Sequence, residues 1–219
     1  MTGIDELKRS GKGRQKILVA TSVGAHLPSA TIESLLAVAL GLRGVEVHAL
    51  LCDAVLPACM DCDMRWYPSE KDQQRLVQQG PKKFCSTCHP PAEKMYESLG
   101  IKIHHYSDFI DGEDRSRSEK LAQEIPLKDI RDFKWEGISV GEHAYAGALR
   151  FYAKGELTGE TQSEPILRRY LQSALITTWM GQRLFRKFDF SVAVLNHGIY
   201  VPLRCSTTHS GIILRKKKW

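Results

Sequence analysis

The chain has 219 residues, 42% hydrophobic and 26% charged, which is enough for one large domain or two small ones around a substantial core. Its net charge of +6 sits in the ends: residues 1–16 are net +3 and residues 204–219 net +5, which leaves the body between them at −2. A groove that tracks phosphates needs basic charge on a folded face, so this distribution argues against a nucleic-acid partner. Weak attraction of the basic tail to an anionic membrane surface stays open.

In chain order, Gln15 to Val23 is an apolar, β-rich run closed by Gly24 and reads as a buried strand. From Ser29 to Arg43, residues Ile32, Leu35, Leu36, Ala39 and Leu40 follow helical spacing, which predicts that they form the buried stripe. Gly44 is a suitable stop. Glu46 to Cys52 is a second strand, so the opening segment is a βαβ unit with a right-handed crossover and parallel pairing. The longest apolar run, Leu35 to Leu40, is too short to span a bilayer, and the N-terminus lacks the apolar stretch of a secretory signal. A cytoplasmic protein without a transmembrane segment is expected.

Residues 53–91 show no clean period and hold four of the six cysteines. A short helix is expected over Ala92 to Leu99, a third strand over Ile101 to Tyr106, and an acidic loop over Asp108 to Ser118. Ser139 to Lys154 and Ser163 to Phe188 read as helices, the second with Ser163 as N-cap and an apolar stripe of Leu167, Leu171, Ala174, Leu175 and Thr178. Ser191 to Leu195 is a fourth buried strand. This order predicts an α/β, Rossmann-like layered domain over 16–203, with a mostly parallel sheet and a cysteine-rich insert at 53–91. A flexible basic N-terminus (1–15) and an atypical basic tail (204–219) flank it.

Cys59-x-x-Cys62 and Cys85-x-x-Cys88 are two thiol pairs with 22 residues between them. Two intervening residues let both sulfurs reach one metal about 2.3 Å away, and two such pairs complete a tetrahedron. A structural Zn²⁺ on Cys59, Cys62, Cys85 and Cys88 is the expectation; an iron–sulfur cluster and unmetallated or redox thiols are the alternatives. His89 stands next to Cys88 and is a second-choice ligand. Cys52 and Cys205 read as a core thiol and a tail thiol.

In layered α/β sheets, ligands bind beyond the carboxyl ends of the strands. Two such ends carry useful residues: Gly24-Ala25-His26 after the first strand, and Asn196-His197-Gly198-Ile199-Tyr200 after the fourth. A neutral imidazole beside a hydroxyl is a suitable general base, which makes His26 and His197 catalytic candidates. The plainer alternative is that each histidine only bonds a loop carbonyl. Gly24, Asn196, Gly198 and Tyr200 are candidates for lining the substrate. The first loop lacks G-x-G-x-x-G, which argues against dinucleotide binding. His104 and His105 lie in the third strand and point to opposite faces, so they do not share a metal. Glu142, His143 and Arg150 read as a solvated helix face.

The segments KILVATSVGAH, GVEVHALLCDAVLPAC, FCSTC, LGIKIHHYSD, GEHAYAGALRFY and VLNHGIYVP, taken in order over Lys16 to Pro202, resemble the N-terminal half of bacterial GT-B-type glycosyltransferases of capsule and surface-carbohydrate biosynthesis. The resemblance implies sugar transfer from a nucleotide-sugar to a glycan or lipid-linked acceptor. In that architecture this domain receives the acceptor and a second domain or chain holds the donor. His26 and His197 would then line the interdomain cleft. Beyond Pro202 the resemblance stops, which implies a truncated form or one that works with a partner. A non-catalytic zinc-stabilised assembly module and half of a nucleotide-sugar epimerase are the alternatives.

Overall fold

The computed structural model describes residues 15–59, 68–195 and 213–215; for Lys82, Lys83 and 213–215 it describes the backbone only. Five strands form one sheet in the order β3-β2-β1-β4-β5: β1 (Lys16–Ser22), β2 (Glu46–Leu51), β3 (Lys102–His105), β4 (Val192–Val194) and β5 (Ile213–Arg215). The first four pair in parallel, and β5 adds to the β4 edge antiparallel. Three of the sixteen residues expected to form an atypical tail therefore lie in the sheet. Because β2 and β3 lie on one side of β1 and β4 on the other, the order switches between β1 and β4. That is where a layered α/β sheet opens a crevice at its carboxyl ends.

The continuous apolar runs are explained by two covered faces. On one face Val19, Val47, Ala49 and Leu51 pack with Ala37 of helix α1 (Leu27–Leu42) and with Ala92 and Tyr96 of α3 (Lys82–Ser98). On the other, Leu18, Ala20, Leu50 and Ala193 join the larger core built by α5 (Val140–Tyr152) and α6 (Ser163–Lys187). Helix α6 is the organiser of that layer, with Leu171, Ala174, Leu175 and Thr178 fully buried as its spacing predicts. Gly147 of α5 lies against Tyr170, where an added Cβ would fall 2.5 Å from the ring, so the two helices meet at closest approach. No helix among the described residues is long and apolar enough to cross a membrane.

Several boundaries differ from expectation. Part of the aperiodic 53–91 stretch is helical: α2 (Glu70–Gln79) and the first half of α3 lie in it, and residues 60–67 lie outside the described residues. Helix α3 runs straight through Pro90 and Pro91. Two adjacent prolines fix φ near helical values and remove only their own two N–H donors, so a helix held by tertiary packing survives them. The acidic 108–118 stretch is mostly helix α4 (Gly112–Glu124); its carboxylates form a capping box in which Asp111 accepts from the Asp114 N–H and Asp114 accepts in return. The N-cap of α6 is Gln162, with Ser163 one position inside.

Helix α1 is turned away from the orientation its periodicity predicts: of the apolar stripe, Leu40 packs on the core but two members do not. Ser29, Ala30, Glu33, Ser34 and Ala37 face the sheet, while Ile32 and Leu35 are 67% and 65% exposed. The buried polar residues are accommodated because the neighbouring layer is itself polar at that end: Thr21 Oγ1 meets the Tyr96 hydroxyl at 2.5 Å.

Candidate metal centre at the carboxyl rim

Strand β1 ends with Ser22 in the left-handed region (φ 53°), at a register shift against β2. A serine held there costs strain that its surroundings must hold in place. They do so through the Tyr106 hydroxyl, which donates to Ser22 Oγ (3.2 Å), and the Cys52 N–H, which donates to the Ser22 carbonyl (2.8 Å). Two residues on, an added Cβ at Gly24 would fall 2.3 Å from Ala92 Cβ and 2.6 Å from the Cys88 carbonyl oxygen. Gly24 is thus required for the approach of α3, and the Ala25 N–H donates to Cys88 Sγ at 3.3 Å. The rim of the sheet is built on α3.

Along α3 the residues Cys85, Cys88, His89, Ala92, Glu93 and Tyr96 recur at three- and four-residue spacing and so share one face. Tyr96 anchors the far end, fully buried. One turn apart, His89 and Glu93 present an imidazole and a carboxylate with Nδ1 to Oε2 at 3.8 Å. From the end of β3, His105 brings its Nε2 to 3.0 Å from Glu93 Oε1, and its ring stands edge-on to His89 at 5.2 Å between centroids. One ligand atom from each of the three lies within 4.8 Å of the others.

Two details set this group apart from a salt bridge. The Nε2 atoms of His89 and His105 are both buried and without a hydrogen-bond partner. His105 Nε2 is close to Glu93 Oε1 but outside hydrogen-bond geometry. Two imidazoles and a carboxylate are a ligand set for a divalent transition metal, and three protein ligands leave positions for water or substrate.

The thiols gather next to this group. Cys52 follows β2 directly. Burial, reinforced by Cys59 and Cys85, pushes its thiol up to about 12. Burial, with Cys59 and Cys88 nearby, pushes Cys85 to about 11. The loop carrying Cys59 is tied to α6 by the Ala58 N–H donating to Ser173 Oγ (2.9 Å) and the Tyr170 hydroxyl donating to the Cys59 carbonyl (2.9 Å). Of the four expected zinc ligands, Cys62 lies outside the described residues. Cys59, Cys85 and Cys88 are neighbours, but among the described residues no group of three that includes a cysteine has its ligand atoms within 4.8 Å.

His26 stands at the N-cap position of α1 with its Nδ1 on the Ser29 hydroxyl, a histidine beside a hydroxyl as the sequence suggests. That serine lies in the first turn of α1 and is itself buried. Asn196, His197, Gly198 and Tyr200 lie outside the described residues. Glu142 is exposed on α5 and His143 half-buried. Sequence reasoning treated His89 as a substitute for a thiolate and left Glu93 unnoticed. The usable signal was the His89-x-x-x-Glu93 spacing, which becomes a pair only if the helix is allowed to start before Pro90.

No family model and no curated protein matches the chain. Among solved structures the chain is similar to Cyclo(L-leucyl-L-phenylalanyl) synthase at 11% identity and a TM-score of 0.40, over 98% of this chain and 95% of that one. The likeness is not to a glycosyltransferase, and the expected acceptor-side function is withdrawn. A TM-score of 0.40 in turn assigns no activity to this chain. Two of the segments that carried the resemblance have packing roles: Gly24 admits α3, and Gly147 admits Tyr170. Residues used for layering helices on a sheet are shared by proteins with unrelated chemistry.

Proposed function

We propose that this chain is a metal-dependent protein whose working centre is a divalent transition metal held by His89, Glu93 and His105 at the carboxyl rim of the sheet. The observation that carries this reading is the gathering of ligand atoms from His89, Glu93 and His105 within 4.8 Å, with the Nε2 atoms of both histidines buried and without a hydrogen bond. A buried polar atom without a partner costs about 1–3 kcal/mol, and a bound cation removes that penalty at both nitrogens. The open coordination positions give the metal a Lewis-acid role: it lowers the pKa of a bound water and polarises a substrate oxygen. His105 ends the edge strand β3, at the same carboxyl end of the sheet as the crevice between β1 and β4.

Titration of the metal-stripped protein with Zn²⁺ and Co²⁺ by calorimetry tests the site. One equivalent should bind, and His89→Ala and His105→Ala should each weaken binding at least tenfold. Equal binding by wild type and both variants would discard the centre. The catalytic part has its own readout: the visible spectrum of the cobalt form should change with pH as the bound water ionises. A spectrum independent of pH would leave a metal without an activated water.

A further inference from the structure

Helix α1 carries an uncovered apolar stripe on its outer side. Leu27, Ile32, Leu35 and Leu42 are between 49% and 73% exposed, with Pro28 and Thr31 exposed among them. The one ionisable residue of α1 is Glu33, and it is buried on the sheet side. Sixteen residues make a helix about 24 Å long, and over that length its outer surface bears no charge until the exposed Arg43 that follows it. The outer face of a helix in water is ordinarily charged or polar, and contiguous exposed apolar surface marks an interaction site.

Basic charge collects at the end of the sheet where this stripe finishes. Helix α1 joins two parallel strands, so its last turn lies at the amino end of the sheet, with the first residues of β1, β2 and β3. Lys16 and Lys102 begin β1 and β3 there, and Arg186 and Lys187 close α6 shortly before β4 begins. The carboxylates at this end are Glu46, Glu97 and Asp189, and Glu46 is bonded to the His48 ring. Residues 1–14 and 216–219 lie outside the described residues, but the points where they join the fold are defined. The Gln15 carbonyl accepts the Glu46 N–H at 3.1 Å, so Lys8, Arg9, Lys12 and Arg14, with Asp5 and Glu6 among them, belong to a segment attached beside the α1–β2 turn. Strand β5 runs antiparallel, and its Arg215 pairs with Val192, which pairs with Ile17. Lys216, Lys217 and Lys218 therefore follow the sheet at the same end.

We infer that the outer face of α1 and the basic amino end of the sheet together form a docking surface for an anionic lipid bilayer. The stripe enters the boundary between headgroups and acyl chains, and the lysines and arginines beside Leu42 meet the anionic headgroups. Each signal alone attaches a protein weakly, and an apolar face combined with basic charge attaches it more firmly. A nucleic acid would use the basic end but has no use for an uncharged leucine and isoleucine face, since phosphate contacts supply its affinity. The inference uses no residue of the histidine–carboxylate centre and does not depend on it.

The full chain is mixed with vesicles of phosphatidylcholine alone, and with vesicles of phosphatidylcholine and phosphatidylglycerol in equal parts, and the bound fraction is measured by co-sedimentation. Partitioning onto the anionic vesicles should exceed that onto phosphatidylcholine at least tenfold and should weaken as salt is raised. Ile32→Gln combined with Leu35→Gln should lower it at least tenfold, and so should Lys216→Gln, Lys217→Gln and Lys218→Gln made together. Circular dichroism confirms that the variants are folded, and the lysine variant carries the test if the helix variant is not tolerated. Absence of binding to the anionic vesicles overturns the inference, as does binding that either variant retains in full. A dimer in solution that the helix variant converts to monomer also overturns it, because the stripe would then belong to a second copy of the chain. So does duplex DNA that binds more tightly than the anionic vesicles and displaces them.

Discussion

His104 and His105 are consecutive residues of one strand with opposite surroundings. The pleat sends His104 into the larger core, where it is 4% exposed and packs at 4.5 Å against Phe188. Its Nε2 meets His48 Nδ1 at 2.7 Å, and His48 Nε2 meets Glu46 Oε1 at 2.8 Å. One proton arrangement satisfies this chain: His104 donates to His48, His48 donates to Glu46, and the only charge is the half-exposed carboxylate. His105 goes to the other face, where its Nε2 and that of His89 are buried without a hydrogen bond, the first lying 3.0 Å from Glu93 Oε1. A histidine whose nitrogens are satisfied by a neutral relay is structural. One whose nitrogen is buried and unsatisfied beside a carboxylate is poised for a cation.

The sharpest test of this contrast is to delete each ring. His104→Ala opens a cavity among Phe109, Phe188 and Phe190 and strips His48 of its donor, so urea denaturation should show a loss of about 3 kcal/mol. His105→Ala in metal-free protein removes an unsatisfied nitrogen and should cost less than about 1 kcal/mol. Equal losses would erase the distinction.

Acid should act on the same side of the strand. Burial, with His48, Lys102 and Lys187 adding positive charge nearby against the opposing Asp108, holds His104 down at about 4, and burial also lowers His48 although Glu46 opposes it. Above pH 6.5 the folded and unfolded chains both carry neutral rings and this pair contributes nothing to the pH dependence. As pH falls from about 6.5 to about 4, the unfolded chain takes up protons that the folded chain refuses. Stability should fall by roughly 3 kcal/mol across that window and then level off. Glu46, held below its ordinary value chiefly by its hydrogen bond from His48, adds a further loss at the acid end. Thermal melts at several pH values measure this, and His104→Phe should flatten the upper part of the profile. A flat wild-type profile would mean that the relay is not neutral.

Metal should act on the other side only. Zn²⁺ at a hundred times its dissociation constant stabilises the folded chain by about 2.7 kcal/mol. The melting temperature of wild type should therefore rise with zinc, while that of His105→Ala responds much less and that of His104→Phe rises like wild type. A zinc response retained in full by His105→Ala would place the ion elsewhere, and the thiols would be the first place to look.

What the sequence revealed follows the same physical divide. Both faces of β1 and β2 are covered, so their apolar runs mark them without ambiguity, and the four parallel strands and the two long helices α5 and α6 were all legible. The metal group was not, because it joins a helical pair hidden by Pro90 and Pro91 to a strand residue whose partner choice depends on the pleat. The thiols were legible as two C-x-x-C pairs.

Helix α1 is where periodicity misled, and it offers the mildest test. Its apolar residues follow helical spacing, yet Ile32 and Leu35 point to solvent and Ser29, Glu33 and Ser34 are buried. The reason lies in what α1 covers: Thr21 and the Tyr96 hydroxyl make that end of the layer polar, and a serine-lined face fits it where a leucine would strand hydroxyls. Leu35→Lys should therefore change stability by less than about 0.5 kcal/mol, as an exposed substitution does. Ala37→Lys, two residues along on the buried side (1% exposed), should destabilise the chain by several times more. If Leu35→Lys proved the costlier of the two, α1 would be rotated to the orientation its periodicity predicts, and the polar contact between Thr21 and Tyr96 would lose its cover.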